Sequence, residues 1–311
     1  MSKAILAGLK TSDAERRYTA LGVAQDLRRD GRGKLDYRPI TVVSDVLPQA
    51  NGSSRVTLGH DGTDVIASVK VEIGEPKHGS PDKGWIEVSV DVSNSLFPTF
   101  DDRSSEDVRA ALGGILQRVI GDCDALDVKG LCLVPGKFCW VVGLDLLILQ
   151  ADGNLIDACS FAAYVALCTA MLPKTSLLVG ENNTVDDFEI DGDITHGVPI
   201  TGVEKLPICI SLSRIGGHFV IDPCSEEETC VQSRVVVAVD HEGFVCGTHK
   251  EGAQGVPVQH LTGIAKGSVG MAAAVFADLG PCVERSRMEA AHGGGWKGGL
   301  VWRDSGTNEV K

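Results

Sequence analysis

The stretch LQADGNLIDACS, residues 149–160, reads as the end of a strand, a glycine turn and the first turn of a helix. Backbone N–H groups point outward at such a junction, and it is a common seat for phosphate. An anion there is held by a hydroxyl and a guanidinium beside those amides. Behind Gly153 this chain offers Asn154, Leu155, Ile156 and Asp157, which means two apolar side chains and a carboxylate. The turn has the backbone form of an anion site without its cation.

Other chemistries find little support. The stretches GHDGTD and HGGGWKGG do not lie in the strand, glycine loop and helix context that a nucleotide-binding loop requires. No Ser/His/Asp or Cys/His signature can be placed, and His60 and His218 read as turn or core-edge residues. The ten cysteines include no C-x-x-C pair, and the eight histidines are not grouped with them at zinc spacing, so no metal site is expected. Scattered through apolar segments of a long chain, the cysteines read as reduced core residues.

Composition sets the frame for these residues. The chain has 311 residues, of which 43% are hydrophobic and 23% charged, the balance of a folded protein with a sizeable core. No window reaches the roughly 18 uninterrupted apolar residues of a membrane span. With an N-terminus too charged for a secretory signal, the reading is an intracellular protein with no membrane partner. A net charge of −13 argues against independent binding to nucleic acid, because neutralising phosphates takes a basic surface.

The elements that must position the turn follow from periodicity. A short helix precedes residue 20, and the turn Asp30-Gly31-Arg32-Gly33 follows. RPITVVSDVL, SRVTLGH, DVIASVKVEI and WIEVSVDV read as strands, with turns at Asn51-Gly52 and Asp61-Gly62. Residues 105–120 carry a helix start and helical apolar spacing, and LCLVPGKFCWVVGLDLLILQ reads as a hairpin leading into a helix over residues 156–171. Residues 180–197 are polar and acidic and read as an exposed connection. Then hairpins recur in ICISLSRIGGHFVIDP and VVVAVDHEGFVCGTHK before a closing helix. Two successive units of strands followed by a helix predict an α+β or α/β pseudo-duplication. The Gly-rich end reads as a flexible tail, with Trp296 and Trp302 as possible docking residues.

Four stretches in order, LRRDGRGKLDYRPI (27–40), NGSSRVTLG (51–59), WVVGLDLLILQADGNLIDACS (140–160) and GHFVIDPCSEEE (217–228), resemble the RNase PH family, whose members use phosphate to remove nucleotides from RNA 3′ ends. Within it, the chain is similar to the ring subunits of the eukaryotic RNA exosome, in the branch resembling the inactive subunit of the archaeal ring. The resemblance implies duplicated ribosomal-S5-type β-α-β-α units with mixed sheets, assembled as a hexameric ring around an RNA channel. The expected organisation is an N-terminal helix and turn at 1–36, a first subdomain at 37–175, an acidic connection at 176–204, a second subdomain at 205–288 and the tail at 289–311.

In active members of the family, the turn carries Gly-Gly-Thr-Arg or Gly-Gly-Ser-Arg, which bind the attacking phosphate. On that pattern Leu155 replaces the hydroxyl residue and Ile156 the arginine, so the resemblance implies a chain without phosphorolytic activity and without a cofactor. Active members also carry a carboxylate near a strand end and another about six residues on, as general acid or metal-holding groups. Asp222 and Glu228 fall there, with Glu227 alongside; an acidic surface loop is the expected reading, and Mg²⁺-dependent hydrolysis through these three is the rival one. Relatives present basic residues on the helix before the central hairpin toward RNA; here Arg118 keeps that character, and a surface ion pair is its alternative. Arg32 and Arg38 match the family's Asp-Gly-Arg turn and following arginine and are expected to be structural or interfacial. Arg55 is expected in strand pairing or a subunit contact.

The implied partners are other RNase PH-like ring subunits, S1/KH cap subunits, a separate hydrolytic nuclease, and RNA threaded through the assembled channel. The implied locations are nucleus, nucleolus and cytoplasm. The competing functional reading is a phosphorolytic 3′-to-5′ exoribonuclease, active alone or through a site shared with a neighbouring subunit.

Overall fold

The computed structural model describes residues 11–93, 102–123, 125–179, 185–191, 196–291 and 300–302. Helix α1, Asp13–Ala24, begins on a capping box: the Ser12 hydroxyl accepts from the Glu15 N–H, and the Glu15 carboxylate accepts from the Ser12 N–H at 2.7 Å. Strands β1 (Ile40–Ser44), β2 (Gly52–Leu58), β3 (Thr63–Gly74) and β4 (Trp85–Val92) follow. Helix α2, Asp102–Leu116, runs into a π-turn at Gln117–Gly121. Strands β5 (Cys132–Val134) and β6 (Phe138–Gln150) then lead into α3, Leu155–Thr169.

The segment beyond α3 holds β7 (Met171–Leu172), β8 (Thr175–Val179), β9 (Val185–Ile190) and β10 (Val198–Pro199). The second unit comprises β11 (Ile208–Ile215), β12 (His218–Ile221), a single-turn α4 (Ser225–Glu228), β13 (Ser233–Val239), β14 (Val245–Glu251) and α5 (Val258–Ala291). Leu300–Trp302 is β15.

The first sheet has the order β15-β1-β2-β3-β6-β4, with β5 paired to β6. It is mixed, because β4 runs parallel to β6 while the other pairs are antiparallel. The second sheet, β12-β11-β13-β14, is antiparallel. Helix α3 lies between the two sheets, touching β2 and β3 on one side and β11 on the other. It is apolar all round, and every residue of it except Tyr164 is buried. One continuous core therefore runs from Ile40 and Val56 through Phe161 and Ala162 to Ile210 and Val237.

Close approach makes this layering possible. A Cβ on Gly52 of β2 would meet the Ala166 carbonyl oxygen at 2.5 Å and the Ala170 backbone at 2.6 Å. Alanines 158, 162, 163 and 166 likewise keep the helix thin enough to sit between two sheets.

Two parts of the sequence reading change. The acidic connection expected over 176–204 contains a hairpin, in which Thr175 pairs with Ile190 and Leu177 with Phe188, and β7 pairs with β10. Phe188 anchors it, meeting Phe138 edge-on at 5.4 Å between ring centroids. Helix α5 continues past residue 288 to Ala291, and within the expected tail β15 pairs with β1, Trp302 opposite Thr41. The rest of that tail, with Trp296, lies outside the described residues.

Gly52→Ala is expected to lower unfolding stability by about 1–3 kcal/mol, since the rigid backbone of α3 must move to admit a methyl. Gly143→Ala, whose added carbon would meet only the Lys70 carbonyl at 3.7 Å, is expected to be nearly neutral. Urea unfolding of both variants checks the pair.

Candidate functional site at the start of the central helix

The glycine turn between β6 and α3 is built by two residues in the left-handed region, Gly153 at φ +82° and Asn154 at φ +55°. Only glycine fits at 153, because a Cβ would lie 2.4 Å from the Pro223 carbonyl oxygen. The turn thus rests directly on the chain leaving β12. Leu155 and Ile156 point into the core at 5% and 0% exposure.

Asn154 has no polar group to spare. Its N–H donates to Glu228 Oε1 at 3.0 Å, and its Nδ2 donates to Asp222 Oδ1 at 3.0 Å and Asp157 Oδ2 at 3.1 Å. Its Oδ1 accepts from the Ser211 hydroxyl at 2.7 Å. The amide at the head of the helix therefore already faces an anion, and that anion is the side chain of Glu228.

Of the acidic surface loop expected at SEEE, residues 225–228, only Glu226 is exposed. Asp222, Glu227 and Glu228 are 0%, 3% and 4% exposed, and each is paired with arginine. Asp222 Oδ1 accepts from Arg38 Nη2 at 2.8 Å, while Oδ2 accepts from Arg38 Nε at 2.9 Å, the Arg38 N–H at 2.8 Å and Arg32 Nη1 at 2.9 Å. Arg28 grips Glu227 with Nε and Nη2 and also donates to the Ile221 and Asp222 carbonyls. Arg234 pairs with Glu228 and donates from Nε to the Ser213 hydroxyl at 3.1 Å. The reason is electrostatic: a carboxylate leaves water only if cations and N–H donors replace its hydration, and four arginines do so here.

Burial alone would push the Asp222 carboxyl up, but Arg38 and Arg32 outweigh it and hold the group below its ordinary value. Asp157 is the reverse case. Burial pushes it up to about 6, although its Oδ2 accepts from the Tyr37 hydroxyl at 2.7 Å and the Ser211 N–H at 3.2 Å. Its Oδ1 has no hydrogen-bond partner. Among the described residues no cluster of three or more His, Cys, Asp or Glu side chains is arranged to hold a metal ion.

The fold therefore gathers Asn154, Leu155, Ile156, Asp157, Asp222, Glu227, Glu228, Arg32 and Arg38, and leaves two candidates elsewhere. Arg55 pairs across the β2–β3 hairpin with Asp64 at 2.6 Å. Arg118 donates to the Gly114 carbonyl at 2.9 Å and borders a cleft of about 530 Å³ between the π-turn and β13–β14. Arg28, Arg234 and Tyr37 were not singled out from sequence. Arg234 could have been, since an arginine opening the apolar run VVVAV requires a buried acid for company. A second cleft, about 610 Å³, opens over the network between Arg29, Arg32, Arg38, His60, Asp152 and Glu226.

Two sheets enclosing one buried helix, with the turn before that helix sealed against the second half, define the RNase PH class of fold. Residues 36–173 match the family model described as 3′ exoribonuclease family, domain 1, and residues 205–265 match domain 2 of the same family. The chain belongs to the 3′ exoribonuclease family. The hairpin β8–β9 falls between the two matched regions. Exosome complex component Rrp42 of Methanosarcina mazei is 32% identical over 228 residues, spanning 73% of this chain and 79% of that protein. Rrp42 of Pyrococcus furiosus is 34% identical over 223 residues, spanning 72% and 77%. Among solved structures, a chain of the Archaeoglobus fulgidus exosome with RNA bound to the active site aligns with a TM-score of 0.68 and 25% identity, covering 85% of this chain and 96% of that one. A chain of an archaeal exosome core aligns at 0.66 with 24% identity, covering 92% and 100%, which is a likeness of fold.

Removing one partner of a buried pair strands the other, so Arg28→Ala is expected to cost about 3–5 kcal/mol. Arg55→Ala, at a pair whose guanidinium is half exposed and whose buried carboxylate keeps the Thr57 hydroxyl, is expected to cost less than Arg28→Ala. Denaturant unfolding of the two variants makes the comparison. The carboxyls also set a pH signature. Between 3.8 and about 6 native Asp157 retains a proton that the unfolded chain releases, so stability from this group falls as pH climbs through that window and is level above it. Asp222 contributes stability above 3.8 that is lost as pH falls through its lower native value. Asp157→Asn is expected to flatten the first slope and leave the second, as thermal unfolding over about pH 3–8 can establish.

Proposed function

We propose that this chain is a non-catalytic ring subunit of an RNA exosome, supporting 3′-to-5′ RNA processing and degradation through assembly. The observation that carries the reading is the state of the turn before α3: its amide is satisfied by Glu228, and the next two side chains are core residues. Phosphorolysis brings inorganic phosphate against a phosphodiester, and the mutual repulsion of these anions is overcome only by preorganised donors and cations. Loss of a single such donor commonly costs on the order of 10²–10³ in rate. Here the hydroxyl and guanidinium positions are both apolar. Arg38, which also donates to the Gly153 carbonyl, and Arg32 spend their donors on Asp222, Asp152 and Asp30.

Membership in the family and the naming of the similar archaeal proteins as exosome components support the ring assignment. In this reading the neighbours are RNase PH-like subunits, the cap proteins carry S1/KH domains, and hydrolysis belongs to a separate nuclease. RNA is met through the channel, with Arg118 as this chain's contribution to it. In the same reading the chain works in nucleus, nucleolus and cytoplasm. The composite alternative, in which a neighbour lends the phosphate cradle, differs in one respect: it needs this chain's carboxylates at the reaction.

The test is phosphate-dependent release of nucleoside diphosphates from a 3′-tailed RNA. The isolated chain is expected to release none, and any activity of a reconstituted ring is expected to survive Leu155→Ala in this subunit. Diphosphate release by the isolated chain would refute the non-catalytic reading.

A further inference from the structure

Ten cysteines are free, and two of them lie directly opposite each other on adjacent strands: Cys132 of β5 and Cys139 of β6 are register partners. Hydrogen bonding fixes the kind of pair. The Trp140 N–H donates to the Leu131 carbonyl at 2.8 Å, and the Cys132 N–H turns away to the Lys129 carbonyl at 3.0 Å. The bond at 131/140 makes 132/139 a non-hydrogen-bonded position, with a register shift between Cys132 and Val134 on its other side; in a regular ladder facing Cα atoms at such a position are about 4.5 Å apart and the side chains closest. That separation is at the short end of the range a disulfide spans, ~4.4–6.8 Å between Cα atoms.

The two thiols differ in access. Cys132 is half-buried, with its Sγ near the Pro81 carbonyl at 3.9 Å, whereas Cys139 has no exposed surface. An oxidant in solution can reach Cys132 directly and Cys139 only through Cys132. We propose that Cys132 and Cys139 form an oxidative modification site for small-molecule disulfides, with Cys132 as the attacking thiol and Cys139 as the resolving thiol. The Cys132 thiolate attacks one sulfur of R–S–S–R, forming a mixed disulfide and releasing RS⁻. The Cys139 thiolate then attacks Cys132 Sγ and expels the second RS⁻. The two cysteine protons end on the two released thiolates, so that two thiols and one disulfide become one disulfide and two thiols. The product clips β5 to β6 beside the Pro135–Lys137 turn.

Burial raises both thiols above their ordinary value, with Asp82 adding to Cys132 and Cys132 itself adding to Cys139. The reaction is therefore slow at neutral pH and quickens as pH rises. This site sits at the start of β6, at the opposite end of that strand from the turn before α3.

The experiment treats the folded, full-length chain with oxidised glutathione and maps cysteines by mass spectrometry. The expected result is a Cys132–Cys139 linked peptide and the joint loss of these two thiols, faster at higher pH. Cys139→Ser should instead accumulate a glutathione adduct on Cys132, and Cys132→Ser, at a half-exposed position, should leave Cys139 unmodified. Wild-type protein in which Cys132 stops at the glutathione adduct, or in which Cys139 is modified equally fast in Cys132→Ser, would overturn the proposal.

Discussion

The structure depends on one electrostatic constraint: carboxylates enclosed at the start of α3 must be matched by guanidiniums drawn from distant parts of the chain. Arg28, Arg32 and Arg38 come from the segment after α1, Arg234 opens β13, and Asp222, Glu227 and Glu228 lie between β12 and β13. No subset of these groups could be dehydrated alone. The isolated ions would each carry a desolvation penalty of several kcal/mol, which their mutual attraction and hydrogen bonds offset only when the geometry is complete. The network thereby fixes how the N-terminal segment, the glycine turn and the second unit meet, which is a gain in specificity of fold more than in stability.

That constraint also decides what the turn can bind. A helix N-terminus attracts negative charge, and in this chain the attraction is met from inside by Glu228 on the Asn154 amide and by Asp157 within the first turn. Ile156 cannot swing out to clear the way without exposing a fully buried side chain, at a cost of roughly 1.5–3 kcal/mol. The turn before α3 is thus a packing element in this chain, with Leu155 and Ile156 built into the core.

Much of this was legible in the residues. Alternating Val and Ile runs gave β1 to β4, the apolar run FAAYVALCT fell within the helix expected over 156–171, and the order of the two units matched the duplicated fold. The apolar character of positions 155 and 156, directly after the glycine turn, was visible without coordinates. The burial of Asp222, Glu227 and Glu228 was not, because SEEE has the composition of a solvated loop and its arginine partners lie up to about two hundred residues away; Arg28 and Glu227 are separated by 199 positions. The hairpin β8–β9 was hidden for a related reason: acidic composition masked the few apolar residues, Phe188 among them, that tie it to the core.

The most direct measurement is an orthophosphate titration followed through the backbone amide resonances of residues 154–157. The internal-anion account predicts that these resonances do not move as phosphate is added. A saturable shift centred on Asn154, Leu155 and Ile156 would show that the turn still takes an external anion and would contradict it.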